Sequence, residues 1–435
     1  MPLLLGIDLG TSYLKAGVFD LAGNLRGLGR VAAGVEEPRP GRRELDAAIF
    51  LSRLRDAVTL AIREAGARKS DVVAISYGSQ ANTFLLLDDE NSALTPLIFW
   101  NDLRAHPLPE ELREFGVSDE RRGRTGLWEL VPESAPAKVR WLQREAPGTW
   151  RRCRSVMTVS DYLTFFLTGE RVGDASTAAL TGLYDITQRV WWEDALERFG
   201  LTAAHMSVPL LPGSKAGVLT PAAAGLFGLE PGTVVAAGAL DHHAAAIGSG
   251  LGFHVEASLS SGTVLAAIVL VTGVAPMPEC IFGPHPGEPG FYALAYDPNG
   301  AGRLEEYQKR FAPEVPMGEL MACLEKPGGV LAAQHAGNLR RQLREMAETE
   351  KLLLGRISPN GLFRRIAATG GGAKSPVSLQ IMADVFGVPV MSTSPEPACL
   401  GAAALAAVGA GLYGNLGAAL ARMVRPARIL EPSKA

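Results

Sequence analysis

Four cysteines in 435 residues, at positions 153, 280, 323 and 399, form no C-x-x-C pair and no metal-like cluster with the seven histidines. A disulfide framework and a zinc site are therefore not expected. Excess charge of one sign is also missing: Lys and Arg number 42 against 45 Asp and Glu, a formal net charge of −3. Without a broad basic field to grip a phosphodiester backbone, nucleic acid is not an expected partner. The start, MPLLLGIDLG, has no basic leader and no small-residue cleavage site, and Asp8 interrupts its apolar run early, so a cytoplasmic protein is expected. The one long uncharged stretch, 398–421, is mostly Ala and Gly and is broken at Gly409, Gly411, Gly414 and Asn415. It reads as a closely packed helix pair rather than a membrane span.

What is present is 47% hydrophobic residues beside 49 Gly and 29 Pro, a pattern of many short elements separated by tight turns. At roughly 150 residues per domain, two or three domains are expected. LLLGID and YLKAGVFD read as apolar strands joined at Gly10-Thr11-Ser12. Over 46–65, Phe50, Leu54, Val58 and Ile62 recur every fourth position ahead of Gly66, which predicts an amphipathic helix. VVAISYG (72–78) and TFLLLD (83–88) read as buried strands flanking a polar elbow at 78–82. Alternating strands and helices imply an α/β layer fold. The region 110–211 is mostly helical in pattern, and 231–250 gives a strand, a sharp elbow at Asp241 and a small-residue helix.

ASLSSGTVLAAIVL (257–270) repeats the architecture of LLLGIDLGTSYLKAGVF, with Gly262-Thr263 in the place of Gly10-Thr11. The chain thus reads as two halves that open with the same hairpin. Further on, 365–390 supplies a strand, the triple glycine 370–372, a helix and another strand.

A Gly-Thr-Ser turn between buried strands exposes backbone N–H groups and hydroxyls that suit phosphate oxygens, although one isolated copy is equally an ordinary hairpin turn. Two such turns across a cleft would grip adjacent phosphates of one nucleotide. Asp8 aims a hard carboxylate at the same place, as needed to hold Mg²⁺ through its waters. Lys15 would neutralise phosphate charge, or else snorkel at the surface. The triple glycine lets backbone approach a planar ligand or a phosphate closely. Asp241, at a strand-to-helix elbow, is either a capping aspartate or a base that takes the proton of a substrate hydroxyl. Gln80, Asn82, Trp100, Asn101, Asp102 and Arg104 combine amide, carboxylate and guanidinium groups with an aromatic face, as polyol recognition demands. For Asp102 and Arg104 a plain surface ion pair is the competing reading.

Taken in order, these segments resemble the FGGY family of carbohydrate kinases, within the actin-like ATPase superfamily. LLLGIDLGTSYLKAGVFDLAGN is similar to its first phosphate motif, and ISYGSQANTFLLLDDENSALTPLIFWNDLRA to its sugar-binding segment. KVRWLQRE resembles the core of its first signature, while VMTVSDYLTFFLTGE and DASTAALTGLYDITQRVWW match its middle region. VVAAGALDHHAAAIGSG resembles the segment with the catalytic aspartate, SLSSGTVL the second phosphate motif, and TGGGAKSPVSLQIMADVFGVPV the adenosine motif.

The resemblance implies two actin-like (ribonuclease H-like) domains, 1–250 and 251–435, each a mixed sheet flanked by helices, with an active-site cleft between them. It implies ATP-dependent phosphorylation of a hydroxyl of a small ketose or polyol, with ATP and Mg²⁺. Asp241 would be the general base, and Asp8 the metal-facing carboxylate. Gly10, Thr11, Ser12, Lys15, Ser261, Gly262 and Thr263 would bind phosphates, and Gly371, Gly372 and Ser375 would line the adenosine pocket. Gln80, Asn82, Trp100, Asn101, Asp102, Arg104 and His242 would contact sugar. The alternatives are an aldose kinase of the same superfamily and a non-catalytic actin-like nucleotide sensor or filament protein. A homodimer is an assembly the resemblance leaves open. Asn82 stands where xylulose kinases carry a histidine, and the Arg-Glu pair of glycerol kinases has no counterpart, so neither substrate is the default. The usual second signature is absent or degraded into PGGVLAAQHAGNLRRQLREMAETEKLLLG, in a stretch that is short for the family.

Overall fold

The computed structural model describes residues 2–261, 264–298, 300, 302–325 and 328–433. Strands Leu3–Leu9 and Tyr13–Asp20 pair antiparallel as the opening hairpin, and Leu3–Leu9 then takes Val72–Ser79 as a parallel neighbour. Leu25–Ala32 extends one edge of this sheet, and Val234–Ala236 followed by Lys215–Val218 the other. The helix Ala47–Ala65 covers the hairpin, capped at its start by the Asp46 carboxylate and at its end by Gly66 in the left-handed conformation.

The second half is built the same way. Ala257–Ser261 pairs antiparallel with Leu265–Val271 and parallel with Ile366–Gly370. Phe291–Asp297 and Val390–Ser392 extend its two sides. The order hairpin third strand, second strand, first strand, then parallel neighbours is therefore common to both sheets, each seven-stranded among the described residues. This matches the expected internal repeat, although Gly262 and Thr263 lie outside the described residues. The run expected to be degraded forms a single helix, Val330–Ile357, whose apolar face (Leu339, Leu343, Met346, Leu353, Leu354) joins the core of the second sheet.

Two features of the fold go beyond the sequence expectations. Val72–Ser79 and Phe84–Leu87, both expected as buried strands, belong to different sheets. The elbow between them carries the chain into a separate four-stranded sheet with Glu44–Leu45, Leu97–Ile98 and Ser155–Thr158. In addition, the uncharged stretch is the expected helix pair, Pro397–Gly409 and Leu416–Met423, but it packs on the first sheet against Leu4, Phe19 and Ala74. The chain past residue 250 thus supplies a layer to the first half before Arg428–Leu430 rejoins the second sheet. Among the described residues no helix is long and apolar enough to cross a membrane, and all four cysteines are buried and unpaired.

Candidate active site

Parallel pairing sets the floor of the site. Asp8 lies opposite Gly78 in the register of the two central strands, and the short strand Ala239–Leu240 pairs with Gly78 and Ser79 from the other side. Asp241 follows directly as the first residue of the helix Asp241–Gly248. The approach is close: a Cβ on Gly78 would sit 3.6 Å from the Asp241 Cα and 3.0 Å from the Ala244 Cβ, so any side chain there would press on the helix that carries Asp241. The elbow is pinned from below, where the Ser176 hydroxyl accepts the Leu240 N–H at 2.7 Å and donates to Asp174 Oδ1 at 2.7 Å.

The two carboxylates have different surroundings. Burial pushes Asp8 up to about 6; Lys15 works against this, and the nearby Asp241 and Glu396 charges reinforce it. Lys15 Nζ stands 3.2 Å from Asp8 Oδ2 and 2.8 Å from Glu396 Oε2. The structure thus places Lys15 neither as a snorkelling lysine nor as free charge for a phosphate, because its ammonium is already shared between two carboxylates. Asp241 is half-buried, accepts the backbone N–H of His242 at 2.7 Å, and has no cationic partner among the described residues.

The sugar-side residues separate into two groups. Trp100 keeps its indole 40% exposed and donates Nε1–H to Thr11 Oγ1 at 2.9 Å, tying this segment to the first phosphate turn. Gln80 Oε1 accepts from Thr83 Oγ1 at 2.9 Å and from Thr11 Oγ1 at 3.4 Å. Asn101 Oδ1 is buried without a partner, and His242 is half-buried beside Asp241.

Asn82, Asp102 and Arg104 are placed differently from the expected sugar contacts. Asn82, at φ 61°, donates to the Leu180 carbonyl at 3.1 Å and accepts the Ala135 N–H at 3.0 Å. Asp102 is fully buried, meets Arg104 Nε at 2.7 Å and Nη2 at 2.9 Å, and accepts the Arg43 N–H at 2.7 Å. Arg104 also reaches Glu44 Oε1. The pair is not a surface ion pair: Asp102 spends both carboxylate oxygens on Arg104 and Arg43, and the Arg104 side chain is largely buried.

In the second half, Ser261 ends its strand opposite Gly370, and a Cβ on Gly371 would sit 3.8 Å from the Ser261 carbonyl. The second phosphate strand and the glycine turn are therefore neighbours. Gly372 opens a short 3-10 turn, and Ser375, with its hydroxyl buried and unpartnered, precedes the helix Pro376–Phe386. The halves meet behind Asp241, where His243 Nε2 and His285 Nδ1 lie 2.9 Å apart and Tyr292 packs with Ala81 and Leu240.

Residues left unassigned by the sequence include Lys138, Ser176, Glu350 and Glu396. Lys138 and Ser176 lie in segments singled out for their resemblance. The available signal was a lysine within the apolar face Ala135, Ala137, Val139, Leu142.

Comparison with known proteins gives a consistent picture. The family models for the N-terminal and C-terminal domains of the FGGY family of carbohydrate kinases match residues 3–248 and 203–410. A xylulose kinase of Lactococcus lactis subsp. lactis (strain IL1403) is 26% identical, over 96% of this chain and 89% of its own. An L-xylulose/3-keto-L-gulonate kinase of Escherichia coli (strain K12) is 26% identical, over 98% and 92%. The crystal structure of a xylulose kinase from Rhodospirillum rubrum superposes with a TM-score of 0.86 at 25% identity, covering 99% of this chain and 94% of that one.

Proposed function

Because the chain belongs to the FGGY family of carbohydrate kinases, we propose that it phosphorylates a terminal hydroxyl of a small ketose or polyol with Asp241 as general base. Membership brings ATP as phosphate donor, a small sugar as acceptor and the two-domain actin-like fold. The observation that carries the base assignment is the contrast among carboxylates: Asp8 and Asp102 each face a cation, while Asp241 faces none among the described residues. No neighbouring cation then competes with an incoming hydroxyl for its oxygens.

In this reading Asp241 accepts the hydroxyl proton as the sugar oxygen attacks the terminal phosphorus, and the phosphoryl group passes to that oxygen while ADP leaves. Most of the rate enhancement then comes from positioning and electrostatics. The first turn, Gly10 to Ser12, and the second, at Ser261 to Thr263, hold phosphates, and Gly371, Gly372 and Ser375 line the base and ribose. Mg²⁺ fits Asp8, a hard carboxylate near the end of the strand that leads into the first phosphate turn, which would hold the ion through its waters and leave Asp241 to the hydroxyl. Bound there, it would offset charge developing on the phosphates.

Trp100, Asn101 and His242 carry exposed or unpartnered groups, and with Gln80, bonded to Thr11 of the first turn, they are proposed to touch the sugar. Asn82, Asp102 and Arg104 are proposed to shape the pocket from behind. A cytoplasmic setting accords with ATP as donor. Since relatives are named for xylulose, L-xylulose and 3-keto-L-gulonate, the test is a panel of pentuloses, hexuloses, keto-sugar acids and tetritols assayed for sugar-dependent ADP formation. Turnover on at least one ketose is expected. Binding of ATP with no turnover on any acceptor would favour a nucleotide sensor and overturn the proposal.

A further inference from the structure

Lys138 lies on the helix Ala135–Glu145 and is fully buried. No carboxylate stands within ion-pair distance of its ammonium among the described residues; instead Nζ donates to three backbone carbonyls: Phe99 at 2.6 Å, Trp100 at 3.0 Å and Asn82 at 3.4 Å. Burying an amine without a counter-ion is costly, so a lysine in this position is retained for what it holds.

The three carbonyls come from the two segments that line the sugar side. Asn82 belongs to the elbow that carries Gln80, and Phe99 and Trp100 precede Asn101. The link runs both ways, because the Asn82 side chain accepts the N–H of Ala135, the first residue of the same helix. Trp100 in turn reaches Thr11 of the first phosphate turn. The helix thus joins, through one side chain, two loops that leave the end of one strand pair, Phe84 opposite Ile98, and reinforces the 3.0 Å hydrogen bond that the Trp100 N–H donates to Thr83 Oγ1.

We propose that Lys138 is the positioning residue of the acceptor pocket, clamping the elbow at Asn82 to the Trp100 segment so that Gln80, Trp100 and Asn101 are held in register for the sugar. This rests on the proposed assignment of those three residues to the sugar. The clamp touches no part of the nucleotide side directly, so its loss acts on acceptor binding before it acts on ATP.

The chemistry of the amine gives the clamp a pH signature. Burial pushes Lys138 down to about 7. The charged groups facing it are Asp102 and Glu133, which favour the ammonium, and Arg104, which opposes it. The protonated form supplies three donors to three carbonyls, and the neutral amine only two. Sugar affinity therefore weakens as pH rises through neutrality.

The test compares wild type, Lys138→Met and Lys138→Gln on the best acceptor of the panel. Lys138→Met is expected to raise the sugar KM about tenfold or more, the size of losing charged hydrogen bonds, with the ATP KM within about twofold. Lys138→Gln, which keeps two donors, falls between. The wild-type sugar KM climbs above about pH 7, and the Met variant loses that climb. Hydrogen exchange gives a readout independent of turnover: peptides over 80–83 and 99–102 exchange faster in Lys138→Met, while those over the second-half strand and helix at 366–386 do not change. An unchanged sugar KM, or equal rises in both KM values with general loss of protection, overturns the clamp. Gln80→Ala assayed in parallel tests the underlying reading: if its sugar KM is normal while Lys138→Met behaves as expected, the assignment of the contact residues fails and the clamp stands.

Discussion

Asp8, Asp102, Asp241 and Glu350 are four acidic side chains whose roles are set by their neighbours. Burial works against the Asp102 carboxylate, but the Arg104 fork and two backbone N–H groups hold it below its ordinary value. Among the described residues Glu350 has only the Ser261 hydroxyl, at 2.8 Å, and burial pushes it up to about 8. The unfolded chain releases this proton near the ordinary value of 4.5, so the folded form binds the extra proton across that interval. Stability is then lost as pH rises from about 4.5 to about 8, by about 5 kcal/mol at most. Glu350→Gln should remove this slope, so the variant gains on wild type in thermal unfolding as pH rises through that window; parallel curves would contradict it. At this scale the sequence revealed residue types but not their availability. Asp102 and Asp241 look alike as letters, and only tertiary pairing shows that one is spent on Arg104 and Arg43 while the other is open. Lys138 was hidden for the same reason, since its partners are carbonyls, which leave no signature in side-chain identity.

The element that matters most is the helix Asp241–Gly248, because its first residue is the proposed base. Its back packs against Pro397–Gly409 with no room to spare: a Cβ on Gly401 would meet the Ala244 carbonyl oxygen at 1.9 Å, and one on Gly248 the Pro397 oxygen at 1.9 Å. Gly401→Ala must push the two helices apart, at a cost of about 1–3 kcal/mol for overpacking. The expected outcome is a lower Tm together with a lower kcat, because the displaced helix carries Asp241 with it. A variant with wild-type Tm and kcat would show that this contact does not position the base. Both helices were legible in the sequence, one from its Pro-led, small-residue run and the other from its place after an apolar strand. Their packing was not, since the chain between them holds every strand of the second sheet except Arg428–Leu430. Likewise the strand patterns at 72–78 and 83–88 were readable, whereas their membership of different sheets depends on non-local pairing with Leu3–Leu9 and Ser155–Thr158.

Across the whole molecule, two sheets of the same order share a seam at His243, His285 and Tyr292, directly behind Asp241 and the elbow at Ala81. The duplication was visible in the sequence because each hairpin repeats the same apolar strand, Gly-Thr turn, apolar strand. The return of Pro397–Met423 to the first sheet was not, because an Ala-rich helix carries no record of which sheet it covers. The arrangement puts Asp8, Thr11, Trp100 and Asp241 on one half, and Ser261, Gly371 and Ser375 on the other. ATP held by both halves and sugar held mainly by the first would therefore meet at Asp241. The most direct test is Asp241→Ala on the best acceptor, with ATP affinity measured on the same protein. Sugar-dependent ADP release should fall by about 10²-fold or more, as loss of a general base gives, with ATP bound as in wild type. Undiminished turnover in that variant would contradict the assignment of Asp241 as the base.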